Sequence, residues 1–291
     1  MNNNYDEKLL NLYNVYKKFE EEEKNINWSL ALGLNSVDGL KPSSYLENLI
    51  GQYINGNINI EDLELILEHY YLKLGVLANS KEKECDIVSS RIIDLLNKDK
   101  DDFFLDYEML LYIHKYLFNN IYDFAGNFRM CNLTKKEVVL NNDTVRYANF
   151  NEIKDLLIYD FNEEKDFSYR KISIDKQAKH FASFSSNIWQ IHPFREGNTR
   201  TTTLFIEKYL VSLGYDVDNT MFKEKSVYYR NALVRSNYFN NYLNIKQDNS
   251  FLIKFYENLL LGKNNNLHSR DLIVEELFNK ENWKEALVQA Y

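Results

Sequence analysis

The chain has 291 residues, of which 45% are hydrophobic, and this composition excludes an intrinsically disordered protein. The formal net charge of −8 disfavours a broad electrostatic grip on nucleic acid or anionic lipid, so neither is an expected partner. Only two prolines and nine glycines are present, which argues against a many-turned β-sandwich or barrel and favours long helices. No run approaches the roughly 18 apolar residues of a membrane span.

The two cysteines indicate a reducing compartment. Cys85 and Cys131 form neither a metal-binding spacing nor a disulfide framework. The first residues also lack the charged and apolar regions of a signal peptide. We therefore expect a cytoplasmic protein.

Apolar periodicity predicts an all-α fold. The predicted helices cover, in chain order, residues 5–24, 42–56, 60–74, 83–96, 106–119, 149–161, 173–190, 198–214, 222–238 and 249–261, followed by a short helical tail to Tyr291. Residues 129–140 interrupt this pattern with β-branched side chains and predict a short hairpin or flap. We divide the chain into an N-terminal region (1–80), a core (81–245) and a C-terminal tail (246–291).

The stretch from His192 to Arg200 concentrates polar side chains where one predicted helix ends and the next begins. Pro193 cannot continue the first helix, and Gly197 supplies a permissive backbone before the second. Exposed N–H groups and the positive end of a helix dipole favour an anion at such a place, phosphate above all. Arg200 and Asn198 are placed to contact phosphate oxygens.

Two further residues of this stretch suggest a reaction. Glu196 would repel a phosphate unless Mg²⁺ lay between them, and Mg²⁺ commonly binds one or two carboxylates together with substrate phosphates. His192 is substantially neutral at pH 7 and can take a proton from an attacking hydroxyl. The sequence therefore predicts a Mg²⁺-nucleotide site with His192 as a general base.

The segment His192-Pro-Phe-Arg-Glu-Gly-Asn-Thr-Arg200 resembles the Fic family motif, histidine-x-phenylalanine-x-acidic-glycine-asparagine-x-arginine. The segment Ile113–Arg129 is similar to the family's helix and the aromatic-alanine-glycine segment after it, and residues 131–141 fall where Fic proteins carry a target-docking flap. The resemblance covers about residues 83–240. It implies a helical Fic fold and an adenylyltransferase that moves AMP from ATP to a hydroxyl side chain (Tyr, Thr or Ser) of a target protein or of the chain itself.

The resemblance also implies a role for each motif residue. His192 would deprotonate the target hydroxyl, Phe194 would anchor the loop and Glu196 would bind Mg²⁺. The expected nucleotide-binding residues are Arg195, Gly197, Asn198, Thr199, Arg200, Tyr229 and Asn237, the last two beside the adenine. Leu133, Thr134, Lys135 and Lys136 of the flap are expected to reach nucleotide or target. For Tyr229, Asn237 and the lysines, packing or solvation is the competing interpretation.

The segment Ser43-Ser-Tyr-Leu-Glu47-Asn48 resembles the inhibitory-helix motif of Fic proteins that carry their inhibitor in the same chain. Ser43 could instead be only a helix N-cap. The family's second arginine, which pairs with the inhibitory glutamate, is replaced here by Thr203, and Thr199 stands where many members have glycine. We therefore expect only partial autoinhibition by Glu47.

Two other functions stay open on the sequence. The same residues could remove AMP or transfer another nucleotide group. Alternatively, the loop could belong to a catalytically silent nucleotide-sensing module, although such a sensor has no need of a base.

Overall fold

A computed structural model describes residues 3–76, 80–98 and 102–278, with side chains from residue 14 onward. Within these ranges the helices are α1 Asn3–Ser36, α2 Ser44–Ile54, α3 Ile60–Leu74, α4 Lys81–Asn97, α5 Tyr107–Phe118, α6 Ile153–Asp166, α7 Ile174–Ile191, α8 Asn198–Ser212, α9 Thr220–Asn237 and α10 Ser250–Leu261. The only β-pairing in this part of the chain is an isolated bridge between Asn240 and Ile245. The all-α prediction is confirmed, and no described helix has the length and hydrophobicity to span a membrane.

The first helix is longer than predicted. The expected end at the charged run 20–24 is wrong, because α1 continues to Ser36. Glutamate and lysine are good helix formers, and Lys24 pairs with Glu20 one turn away at 2.9 Å. The turns after the charged run are held by packing, since Trp28 and Leu34 are buried.

Contacts divide the chain into two compact units. The first consists of Met1–Asn97 with Asp218–Lys223, and in it α4 packs on α1 and α3. Helix α4 thus groups with the N-terminal helices and not with the predicted core of 81–245. Its nearly uniform burial explains this, because it is covered by both neighbouring helices.

The second unit consists of Lys98–Val217 and Glu224–Tyr291. Helices α5 and α8 pack together, and α7 contacts α6, α8 and α10. In place of the predicted helical tail, residues 269–278 form two short 3₁₀ turns, Ser269–Leu272 and Glu275–Leu277. The rest of the predicted tail, residues 279–291, lies outside the described residues.

The flap segment, residues 131–141, is not a β-hairpin. It runs as irregular chain into the 3₁₀ turn Val138–Leu140, without a strand ladder. The backbone of buried Glu137 closes the turn. Its N–H donates to the carbonyl of Asp143 and its carbonyl accepts from the N–H of Asn142, both at 2.9 Å. Local bonds around one buried carboxylate residue thus replace the expected strand pairing.

Candidate active site

The loop between α7 and α8 begins and ends with left-handed backbone. His192 follows the last residue of α7 with φ 52°, and Gly197 precedes the first residue of α8 with φ 77°. A Cβ on Gly197 would lie 2.4 Å from Cε2 of Phe118 on α5. Glycine is therefore required both by its backbone angle and by the close packing of the loop on α5.

His192 is buried, with 2% of its surface exposed. Its Nδ1 lies 3.3 Å from the carbonyl oxygen of Trp189, and no described residue hydrogen-bonds its Nε2. A carbonyl can only accept, so we place the proton on Nδ1 and the lone pair on Nε2. Burial first, and then the positive charges of Lys135, Arg230 and Arg129, hold the pKa of His192 well below its ordinary value. The imidazole is consequently neutral and has a nitrogen available to accept a proton.

The Asn198 side chain closes the loop on itself. Its Oδ1 accepts the N–H of Phe194 at 2.9 Å, and its Nδ2 donates to the Phe194 carbonyl at 2.8 Å. Phe194 is buried, as the anchoring prediction requires, and its ring stacks on His114 at 3.7 Å. Asn198 therefore shapes the loop, and one of its amide hydrogens is already used for this purpose.

His114 on α5 is a site residue that sequence reasoning did not single out. Its Nδ1 accepts the N–H of Gly126 at 2.8 Å, so its Nε2 must carry the proton that reaches the Glu196 carbonyl at 3.1 Å. Burial lowers the pKa of His114 to about 4. A neutral histidine of fixed tautomer thus ties the loop to α5. His114 lies among apolar residues of a predicted helix, and this pattern does not suggest a functional role. It does lie in the segment that resembles the Fic family.

Arg129 is the second missed residue and joins the loop to the flap. Its buried guanidinium donates to the carbonyls of His192 (2.8 Å), Cys131 (2.7 Å), Ala148 and Ile191. Its own N–H donates to the Pro193 carbonyl at 2.8 Å. All these partners are backbone oxygens, so Arg129 fixes the path of the chain on both sides of His192.

The first turn of α8 is buried. The guanidinium of Arg200 lies over the ring of Phe118, 4.7 Å from its centroid, with 1% of the residue exposed. The Thr199 hydroxyl accepts from Nε1 of Trp189 at 3.0 Å, and the Thr203 hydroxyl donates to the Thr199 carbonyl at 2.7 Å. The two threonines that depart from the family pattern are thus bound within the protein.

Glu196 and Arg195 are the exposed members of the loop. The Glu196 carboxylate lies 2.9 Å from Nζ of Lys135 on the flap, and the Arg195 guanidinium lies 5.1 Å from the centre of the Phe124 ring. Among the described residues no group of three His, Cys, Asp or Glu side chains is placed to hold a metal ion. A lone accessible carboxylate fits Mg²⁺ that is bound mainly through nucleotide phosphates and water.

The other flap residues differ in exposure. Leu133 is half-buried, while Thr134 and Lys136 are exposed, and the N–H of Lys135 donates to the Thr144 hydroxyl at 3.2 Å. Lys135 is therefore the flap side chain that the structure brings to the loop. Contact of the other three with nucleotide or target stays a prediction.

Comparison with known proteins places these features in a family. Residues 104–210 match the Fic/DOC family model, a range that contains α5, the flap, α7 and the loop of His192. Residues 104–210 form a Fic domain.

Two relatives that are named as adenylyltransferases are similar over part of the chain. The probable protein adenylyltransferase y4lH of Sinorhizobium fredii is 28% identical over 132 residues, which are 45% of this chain and 65% of that protein. The protein adenylyltransferase VbhT of Bartonella schoenbuchensis is 25% identical over 114 residues, which are 39% of this chain and 22% of that protein. The chain therefore spans less than two thirds of either relative.

The chain also resembles a solved structure. This is the N-terminal Fic domain of a Bartonella effector protein from Bartonella sp. AR 15-3, with 18% identity and a TM-score of 0.48. The likeness covers 61% of this chain and 80% of that one.

Tyr229 and Asn237 lie beyond the matched Fic domain, on α9. The Tyr229 hydroxyl lies 3.2 Å from that of Tyr256, and burial raises the pKa of Tyr229 to about 12. The Asn237 amide donates to the Ser186 hydroxyl at 2.9 Å and to the Leu233 carbonyl at 2.9 Å. These contacts support the packing interpretation, and nucleotide contact by either residue stays a prediction.

The predicted inhibitory residues lie in the first unit, outside the Fic domain. Ser43 is the N-cap of α2, because its hydroxyl accepts the N–H of Leu46 at 3.0 Å. The same hydroxyl donates to Asp86 at 2.5 Å, and Tyr71 donates to the same carboxylate at 2.7 Å. Glu47, in the first turn of α2, is exposed. The capping role of Ser43 is thus confirmed, while inhibition stays a prediction.

Proposed function

We propose that this chain is a protein adenylyltransferase that moves AMP from ATP to the hydroxyl of a protein side chain. The observation that carries the proposal is the Nε2 of His192, buried and without a hydrogen-bond partner among the described residues, in a loop that leads directly into the N-terminus of α8. A structural histidine satisfies both of its nitrogens, as His114 does. The similarity to two adenylyltransferases adds support.

The proposed reaction uses this arrangement. The oxygen of the target hydroxyl attacks the α-phosphorus of ATP, while Nε2 of His192 takes the hydroxyl proton. A new oxygen–phosphorus bond forms, the bond from the α-phosphorus to the bridging oxygen breaks, and pyrophosphate leaves with the bond electrons. The N–H groups at the start of α8 and the Arg200 guanidinium would stabilise the negative charge on the phosphates.

Glu196 would hold Mg²⁺ in this scheme, and the ion would neutralise phosphate charge during transfer. The Lys135 ammonium lies 2.9 Å from the same carboxylate and must give up this contact when a cation binds there. Both side chains are partly exposed, so the ion pair costs about 0–1 kcal/mol to break. It is therefore a small obstacle to Mg²⁺.

Radiolabelled ATP tests the proposed function. With Mg²⁺ present, we expect the purified chain to raise protein-bound label from [α-³²P]ATP in a cell lysate, and to add no label from [γ-³²P]ATP beyond that of the lysate alone. Chelation of Mg²⁺ should stop the labelling. Transfer of the γ-label, or transfer from another nucleoside triphosphate alone, would contradict the proposal.

The chain itself is one proposed acceptor. It contains 22 tyrosines in addition to its serines and threonines. Intact mass measurement after incubation with ATP and Mg²⁺ should show a gain of one AMP unit, and peptide mapping would locate it. An unchanged mass in a preparation that labels other proteins would refute self-modification.

We further propose that α2 restrains the transferase only loosely through Glu47. The motif Ser43–Asn48 supports an inhibitory role, and the anchoring of Ser43 to Asp86 fixes the start of its helix. Thr203 supports the looseness, because its hydroxyl is bound to the Thr199 carbonyl and it offers no positive charge to a glutamate. We also propose that the protein is located in the cytoplasm.

A further inference from the structure

The ring of Tyr147 covers one face of His192. The ring centroids are 4.0 Å apart and the planes differ by 25°, which is a stacked arrangement. Trp189 meets the same imidazole edge-on, with centroids 5.4 Å apart and an angle of 86°. Two aromatic side chains therefore limit how the imidazole can turn.

The hydroxyl of Tyr147 is itself anchored to a buried ion pair. It lies 3.4 Å from Oε1 of Glu137, whose carboxylate is fully buried. Both oxygens of this carboxylate bind the guanidinium of Arg230 on α9, with Nη2 to Oε1 at 2.9 Å. Burial raises the pKa of Tyr147, so the hydroxyl keeps its proton and can donate it to Glu137. The ring is thus held from the flap and from α9 together.

The hydrogen bond that orients His192 is too weak to fix the imidazole by itself. Its Nδ1 is 3.3 Å from the Trp189 carbonyl, at the long end for such a bond. Rotation of the imidazole would turn Nε2 away from its present direction and remove the base. The stacked ring opposes this rotation by direct contact.

We propose that Tyr147 is a positioning residue for His192: its ring, fixed through Glu137 and Arg230, keeps the imidazole in the orientation that leaves Nε2 bare. The inference rests on the proposed adenylyltransferase function, because only a proton-accepting His192 needs this support. No motif in the sequence assigns such a role to Tyr147.

The charges around His192 give this arrangement a second effect. Lys135 on the flap, Arg230 on α9 and Arg129 all lower the pKa of the imidazole, in addition to its burial. Two of these cations are themselves paired with carboxylates, Arg230 with Glu137 and Lys135 with Glu196. Loss of the Tyr147 ring would admit water to one face of the imidazole. The pKa should then rise toward the ordinary value of about 6.5.

Nuclear magnetic resonance of the full chain, with its five histidines isotopically labelled, measures this effect without any need for activity. His192→Ala identifies the His192 signal. We expect Tyr147→Leu to raise the His192 titration midpoint by at least one pH unit, and Tyr147→Phe to raise it by less than half a unit because the stack remains. The matched control is Phe167→Leu, which removes a ring stacked on His180 at 3.4 Å and should leave the His192 signal in place.

Kinetics of AMP transfer give the second measurement. Tyr147→Leu should lower kcat roughly tenfold at pH 6.5, a part of the 10²–10⁴-fold that a general base contributes, and should leave the KM for ATP unchanged. The acid limb of its pH profile should move to higher pH. An unmoved His192 midpoint in folded Tyr147→Leu protein would overturn the inference. A moved midpoint in a chain that never transfers AMP would instead refute the proposed function.

Discussion

At the scale of single residues, two buried histidines of the second unit have opposite surroundings. His114 has partners on both ring nitrogens, whereas His192 has one partner and a bare Nε2 among the described residues. The same cause, burial, lowers both pKa values. The difference in partners explains why we assign structure to His114 and chemistry to His192.

The lowered pKa of His114 predicts that the free energy of unfolding decreases as the pH falls. Its folded-state pKa of about 4 lies below the ordinary value of about 6.5, so between these values the unfolded chain binds the extra proton. Stability should therefore decrease as the pH falls through this window. The contribution of His114 between pH 7 and pH 5 is about 2 kcal/mol.

Urea unfolding of the wild type and of His114→Gln at pH 7 and pH 5 checks this value. Between pH 7 and pH 5, the free energy of unfolding of the variant should decrease by about 2 kcal/mol less than that of the wild type. The control is His69→Gln, a substitution at an exposed position. Its free energy of unfolding should decrease by as much as that of the wild type. Equal losses in wild type and His114→Gln would show that His114 does not resist protonation in the folded state.

The motif residues were predictable because their spacing is local, whereas their supports were not. Arg129 reaches carbonyls at positions 191 and 192, more than 60 residues away, and Tyr147 reaches His192 across 45 residues. Such partners are set by tertiary packing, which no periodicity encodes. The sequence also suggested free phosphate-binding groups on Asn198, but the structure shows one amide hydrogen engaged with Phe194.

At the scale of elements, the connection of α7 to α8 depends on a close approach. Gly197 and Gly56 share a left-handed backbone, with φ 77° and 75°, yet of these two only Gly197 would bring an added Cβ within 4 Å of a neighbour, the ring of Phe118. The two glycines therefore separate backbone strain from crowding. Strain in the left-handed region costs about 1–2 kcal/mol, and overpacking adds about 1–3 kcal/mol.

Gly197→Ala should accordingly lower the free energy of unfolding by about 3 kcal/mol, and Gly56→Ala by about 1 kcal/mol. Denaturant titration of both variants measures the difference. AMP transfer should fall with Gly197→Ala alone, since only this loop carries His192. Equal destabilisation of the two variants would contradict the packing of Gly197 on α5.

Helix bounds were predictable wherever a capping residue coincides with the end of an apolar stripe. Asn59 caps α3 through the N–H of Asp62, and left-handed Gly75 ends it, within a residue of the predicted bounds. The prediction that α1 ends at its charged run was wrong because charge alone does not end a helix. The flap misled because β-branched residues also occur in irregular chain that is held by buried polar contacts.

At the scale of the whole molecule, the boundaries of the units were the least predictable feature. The sequence shows no glycine-, proline- or serine-rich linker directly after α4, and the short stretch Asp218–Lys223 belongs to the first unit despite its position late in the chain. Such an exchange depends on contacts between distant segments. The matched Fic domain, residues 104–210, lies within the second unit, which also contains the candidate site.

The proposed restraint of the transferase by α2 involves the whole chain and predicts a modest effect of Glu47. Glu47→Gly should raise the initial rate of AMP transfer a few-fold, because Thr203 provides no charged partner for a tight clamp. The matched control is Glu61→Gly, another exposed glutamate in the first turn of a helix. Initial rates with labelled ATP measure both. Activation of a hundredfold would refute the loose restraint, and no activation would refute inhibition by Glu47.

The most direct test of the central claim is the rate of AMP transfer by His192→Ala beside His268→Ala, which removes an exposed histidine from the same unit. Loss of a general base predicts a fall of 10²–10⁴-fold, on the order of magnitude such groups contribute, for His192→Ala and no change for His268→Ala. A folded His192→Ala protein that transfers AMP at a rate close to wild type would contradict the account.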